Sequence, residues 1–147
     1  MTTLNIAPTE YTPKVIFDFE KLVKGKYIFE ISGESKPEDV REFYDPLLKW
    51  LDDLQHNLKT FEEVAGDNRK RKIRLKFRMD YFNSSTAKYF FDIIQKMEEI
   101  QTHCHNANIK IIWIYHPKDI DMKESGEEFQ SMTKVPFEIS VWKEGEN

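Results

Sequence analysis

Three consecutive hydroxyls, Ser84, Ser85 and Thr86, follow Asn83 at a point where the pattern of the chain changes. Before them Ile73, Leu75, Phe77, Met79 and Tyr81 alternate with Arg74, Lys76, Arg78 and Asp80, the period-2 signature of a strand with one buried face. After them Ala87, Phe90, Phe91, Ile94 and Met97 recur at three- and four-residue spacing, as on one face of a helix from about Ser84 to His105. Asn83, Ser84 and Ser85 are therefore placed to cap a helix, because their side-chain oxygens can accept from the free amides of its first turn. The same geometry suits an added phosphate. Those amides and the positive end of the helix dipole favour an anion, and Lys88 lies one turn on. Phosphorylation would bring a charge of roughly −1.5 to −2 to this spot. Capping and switching are both open on the residues alone.

Other chemistry-bearing residues are less well arranged. His103-Cys104-His105 offers three soft ligands, but neighbours on a helix point about 100° apart and do not close a tetrahedral metal site by themselves. Asp119, Asp121, Glu124, Glu127 and Glu128 gather acids without the Gly-bearing spacing of a calcium loop, which fits a helix start better than a cation site. No glycine-rich phosphate loop and no nucleophile–base pairing stands out. The expectation is a protein that is not an enzyme and needs no metal or cofactor.

The elements that must position the junction can be read in order. Residues 1–13, broken by Pro8 and Pro13, form a lead-in or a weak edge strand. Val15-Ile16-Phe17 and Tyr27 to Ile31 pair as a hairpin, with Lys24-Gly25-Lys26 near its turn. Ser35-Lys36-Pro37-Glu38 fits a capping box opening a helix whose stripe runs from Val40 to Leu58, kinked or divided at Pro46. Trp50 lies off that stripe, either packing at its periphery or facing a partner. Residues 59–72 read as a long mobile loop, Ile109 to Tyr115 as a central strand, and Phe137 to Trp142 as a last strand before a polar tail at 143–147. Strands alternating with helices predict one α/β domain over 1–147, a mixed sheet with helices mainly on one face.

Composition narrows the function classes. The chain has 147 residues, 39% of them hydrophobic, with 11 Phe, enough for one packed core. A net charge of −4 disfavours nucleic acid as a partner. Arg69, Lys70, Arg71, Lys72, Arg74, Lys76 and Arg78 make a basic run, yet from Arg74 they alternate with core residues and decorate an open sheet face, where Glu30 and Glu138 can neutralise them. One cysteine suits a reducing compartment, and no apolar run is long enough to enter a membrane as a helix, so a cytoplasmic protein is expected.

Tyr81-Phe82-Asn83-Ser84-Ser85-Thr86-Ala87-Lys88 resembles the Tyr-x-Asn-Thr-Ser-Ser-x-Lys signature of the SiaC family of bacterial regulatory phosphoproteins. It resembles more distantly the Asp-Ser-Ser-Gly turn of anti-sigma-factor antagonists. Tyr11-Thr12-Pro13, the stretch 33–38, the stretch 43–51, the run 119–129 and Pro136-Phe137 are similar to the family in the same order, so the resemblance spans nearly the whole chain. It implies a STAS-like fold and phosphorylation at Ser84, where the family usually has Thr, with Ser85 the runner-up and Asn83, Ser85, Thr86 and Lys88 supporting the site. It also implies a kinase of the histidine-kinase-like ATPase type, a PP2C-type phosphatase, and an effector bound by the unmodified form. That effector would be a diguanylate cyclase activated by binding, in cyclic-di-GMP signalling and biofilm regulation. An anti-sigma-factor antagonist acting by partner switching and a constitutive interaction scaffold are the alternatives. Trp50, Asp119, Asp121 and Glu124 are the candidate docking residues.

Overall fold

The computed structural model describes residues 1–20 and 26–143, without the side chains of 26 and 27. Six strands lie in one sheet in the order of the chain: β1 (Leu4–Ile6), β2 (Lys14–Phe17), β3 (Lys26–Ser35), β4 (Arg71–Phe82), β5 (Ala107–Tyr115) and β6 (Phe137–Val141). The first three run antiparallel to one another, and β3 to β6 run parallel. Each parallel step is bridged by one helix: α1 (Val40–Glu63), α2 (Ser84–His103) and α3 (Ile120–Ser131).

Strand alternation sorts the side chains into two faces. Ile31, Phe77, Trp113 and Ile139 form one row across β3 to β6, and Glu30, Lys76, Ile112 and Glu138 form the adjacent row pointing the other way. All three helices cover the first face. Trp50 of α1 packs edge-on to Phe29, Phe90 of α2 to Phe77, and Phe129 of α3 tilts against Trp113, with ring centroids 5.2, 4.9 and 5.4 Å apart. Each such buried side chain contributes about 1.5–3 kcal/mol, so this layer is the main source of stability. Helix α3 comes closest. Gly126 leaves no room for a side chain, since a Cβ there would lie 2.4 Å from the Trp113 ring.

The opposite face is charged, and of its basic run Lys76 meets an expected acid, while Glu138 takes Lys110 instead. Glu30 accepts from Lys76 at 3.3 Å and Lys14 at 3.4 Å, and Lys110 meets Glu138 at 2.8 Å. Burial alone would raise the Glu30 pKa, but Ser32, Lys76 and Lys14 outweigh it and hold the carboxyl below its usual value. Arg78 lies over Trp142.

Several expectations change. Ser35 does not cap α1. It ends β3, fully buried, and Asp39 caps the helix by accepting from the Glu42 amide at 3.1 Å. A bulge at Gly33/Glu34, with Gly33 at φ 111°, carries the strand past the expected boundary. Helix α1 is one element through Pro46, whose missing bond falls on the exposed side while Tyr44, Leu47, Trp50 and Leu51 stay buried. Only half of the stretch 59–72 is loop. Its first five residues extend α1, 71 and 72 begin β4, and only 64–70 connect them. Arg71 is almost fully buried against Asp67 at 2.6 Å and over the Phe61 ring, which ties the segment down. β5 is interior but next to last, and β1 is the short edge strand. Lys24 and Gly25 of the expected hairpin turn, and the tail beyond 143, lie outside the described residues.

Candidate functional site

Parallel strands followed by helices bring the starts of α1, α2 and α3 to one end of the sheet, where β3, β4 and β5 finish. Each start has a side-chain cap: Asp39, Asn83 and Asp119 accept from the amides of Glu42, Thr86 and Met122. The first turns of α1 and α3 also hold an acid, Glu42 and Asp121, and that of α2 holds none. The positive end of α2 is thus the least compensated of the three.

At this end the three hydroxyls have different fates. Ser84 is exposed, and its hydroxyl has no partner among the described residues. Ser85 is exposed but donates to Asn83 Oδ1 at 3.0 Å, the same oxygen that accepts from the Thr86 amide at 3.0 Å. Thr86 is fully buried. Its hydroxyl lies 2.8 Å from Ser35 Oγ, which in turn lies 2.6 Å from the Tyr44 hydroxyl. The Asn83 amide donates to the Ser35 carbonyl at 3.1 Å and the Ala87 amide to the Asn83 carbonyl at 3.0 Å. Burial pushes the Tyr44 phenol pKa well up, more than its hydrogen bonds to Ser35 and Thr86 lower it, so Tyr44 stays protonated. Lys88 is exposed without an ion pair among the described residues.

Apolar surface adjoins the hydroxyls. Tyr81 is 48% exposed and Phe91 36%, and an open groove of about 480 Å³ between α2 and α3 is lined by Phe82, Ala87, Lys88, Phe91, Phe129 and Met132. A charge placed on Ser84 would stand beside surface fit for a protein partner.

The remaining candidates fall into place or drop out. Asp119 is the cap of α3, half-buried, while Asp121 and Glu124 are exposed on its first turns. Trp50 packs inside rather than facing outward. It is 9% exposed, wedged between Phe17 and Phe29, and its indole donates to the Thr2 carbonyl at 2.7 Å. The β1–β2 hairpin folding under α1 widens the buried stripe to include it. Residues 103–105 point apart: His103 is exposed, Cys104 is buried with its thiol pKa raised by burial, and His105 meets Glu62 at 2.9 Å. Among the described residues no group of His, Cys, Asp or Glu is arranged to hold a metal ion, and no helix is long and apolar enough to cross a membrane. Sequence reasoning missed Ser35 and Tyr44 as parts of the site. The available signal was Thr86, which shares the buried face of α2 with Phe90, Ile93 and Met97 and so had to find a polar partner inside.

Comparison with known proteins agrees with this layout. A protein of Pseudomonas aeruginosa (strain UCBPP-PA14), itself uncharacterized, is 26% identical over 141 residues, spanning 96% of this chain and 98% of that one. The crystal structure of apo-SiaC from Pseudomonas aeruginosa has the same fold at a TM-score of 0.74 and 25% identity, over 95% of this chain and 99% of that one. So does SiaC in the crystal structure of the diguanylate cyclase SiaD in complex with its activator SiaC from Pseudomonas aeruginosa, at a TM-score of 0.74 and 24% identity, over 95% and 99%. The sequence model of one family matches residues 6–142, nearly the whole chain, and the mixed α/β domain described above matches the solved SiaC structure. The chain belongs to the SiaC family of regulatory phosphoproteins.

Proposed function

We propose that this protein is a non-catalytic cytoplasmic switch in which reversible phosphorylation of Ser84 controls docking of an effector. The observation that carries the reading is the contrast among neighbouring hydroxyls: Ser84 is exposed and uncommitted at the start of α2, Ser85 is engaged by the cap, and Thr86 is buried. A kinase of the histidine-kinase-like ATPase type adds the phosphate and a PP2C-type phosphatase removes it. The unmodified form binds and activates a diguanylate cyclase, as the SiaC of Pseudomonas aeruginosa is the activator of SiaD. Asp121 and Glu124, exposed on the first turns of α3 at the same end of the molecule, join the groove in the docking surface of this reading.

The mechanism is electrostatic. Binding at this end would strip water from whatever Ser84 carries. A hydroxyl loses little, whereas a phosphate of roughly −1.5 to −2 charge is costly to bury and repels any acid opposite it. Phosphorylation therefore releases the effector.

The test is phosphosite mapping by intact mass and fragmentation on protein from its native host, with Ser84→Ala and Ser85→Ala alongside, followed by capture of partners on unmodified protein and on Ser84→Asp. One phosphate that vanishes only in Ser84→Ala, and a cyclase captured only by the unmodified form, are the expected results. Ser84→Ala protein that still takes a full phosphate, or Ser84→Asp that holds the effector as tightly as wild type, would sink the proposal. A captured anti-sigma factor would redirect the output to partner switching.

A further inference from the structure

The buried hydroxyls under the first turn of α2 form one bonded cluster. Thr86 Oγ1 donates to the Ser35 carbonyl at 3.3 Å, and that carbonyl can only accept. Ser35 Oγ lies 2.8 Å from Thr86 Oγ1 and 2.6 Å from the Tyr44 hydroxyl, so one proton bridges each of these pairs. With the carbonyl as a further acceptor, all three hydroxyl protons can be satisfied inside the cluster, as burial requires. The chain of bonds begins on α1, passes through the end of β3, and ends on the first turn of α2, so it joins three elements at one point. The Ser35 carbonyl also accepts from the Asn83 amide, and Asn83 in turn engages both Ser85 and Thr86. A second link lies outside it, where Tyr89 stacks on Tyr44 and donates to Asp45 at 2.9 Å.

We infer that Tyr44 and Ser35 are positioning residues of the switch: by holding Thr86 down and Asn83 in its capping pose, they keep Ser85 engaged and leave Ser84 as the one serine presented to a modifying enzyme. The acceptor is selected from the core. This rests on the reading of Ser84 as the phosphate acceptor only for its consequence; the tether itself is testable without any phosphate. Neither residue is exposed, so neither contacts a kinase or an effector in the folded protein.

The experiment compares wild type with Tyr44→Phe, Ser35→Ala and the conservative Thr86→Ser, which keeps the hydroxyl. Amide hydrogen exchange is followed at Asn83, Thr86 and Ala87, with Ile94 and Ile111 as references for global stability. In the same proteins the ratio of phosphate at Ser84 to Ser85 is mapped after incubation with native-host extract and ATP. Tyr44→Phe and Ser35→Ala should speed exchange at the three turn amides by roughly tenfold or more beyond any change at the references, since each removes buried hydrogen bonds that hold the turn. They should also lower the Ser84 preference, while Thr86→Ser behaves as wild type. Exchange at the turn that changes only in step with the references overturns the inference. So does an unchanged site ratio in variants whose turn has loosened, even though the switch at Ser84 would then stand. If wild type takes no phosphate at either serine, the proposed function falls and the exchange data alone decide the tether.

Discussion

Replacing Ser84 with Asp should weaken effector binding and stabilise the isolated protein at the same time. Ser84 is the first residue of α2, whose opening turn carries no acid, and Lys88 lies four residues on without an ion pair among the described residues. A carboxylate at a helix start contributes about 0.3–1 kcal/mol through the dipole, and an acid four residues before a lysine adds about 0.2–0.5 kcal/mol. For 147 residues the unfolding entropy is about 0.3 kcal/mol/K, so the sum corresponds to a rise in Tm of about 2–5 °C. Thermal unfolding by circular dichroism at 20 mM salt measures it, with Ser84→Asn as the uncharged control. At 1 M salt, where the screening length falls to about 3 Å, most of the gain should vanish. A lower Tm, no difference from Ser84→Asn, or a gain indifferent to salt would refute the electrostatic account of this helix start. The opposite signs make the assay decisive: a variant that binds less but melts higher has not simply misfolded.

Other consequences are open to measurement. Gly126→Ala drives a methyl into the Trp113 ring, and overpacking of about 1–3 kcal/mol, against a helix-propensity gain of up to about 1, should lower Tm in thermal melts and perturb Trp113 fluorescence. Trp50→Phe forfeits the bond to the Thr2 carbonyl, so stability should fall by about 0.5–1.5 kcal/mol in urea titrations while effector affinity stays unchanged. Glu98 is held below its usual pKa by the Lys134 amide first and by the Thr133 hydroxyl next. Because its folded pKa lies below the unfolded one, its contribution is present above about pH 4.5 and is lost as the pH falls through the depressed value. Urea titrations between pH 7 and pH 3 should show a shallower loss of stability in Glu98→Gln than in wild type.

The β4–α2 junction was legible because two periods meet there, and period is a property of the residues themselves. Ile73, Leu75, Phe77 and Met79, and Phe90, Ile94 and Met97, face the core as the pattern requires, whereas Tyr81 and Phe91 are exposed, and Asn83 caps as its type suggests. What escaped was decided by distant residues. Ser35-x-x-Glu38 and Asp39-x-x-Glu42 both carry cap chemistry, and burial of Ser35 against Tyr44 and Thr86, the latter 51 residues on, settles which is used. Residues 59–63 are polar enough to read as loop, yet Asn106 donates to the Leu58 carbonyl and Arg71 covers Phe61, so α1 continues. Trp50 is inside because a carbonyl 48 residues earlier meets its indole. The candidate site divided along the same line: the outward serines are visible in the sequence, and the polar floor that sorts them is not.

Sequential order in the sheet has a consequence for how this protein can change over time. Every hydrogen bond that fixes the acceptor turn runs either within the turn or back to Ser35, and from there to Tyr44, all earlier in the chain. Among the described residues β5, α3 and β6 supply none of them; they contribute packing and the far wall of the groove. The proposed phosphate acceptor thus lies in the first two-thirds of the chain and the α3 wall of the proposed docking groove in the last third. On the proposed function, substitutions on α3 can retune which partner is recognised while Ser84 stays where it is.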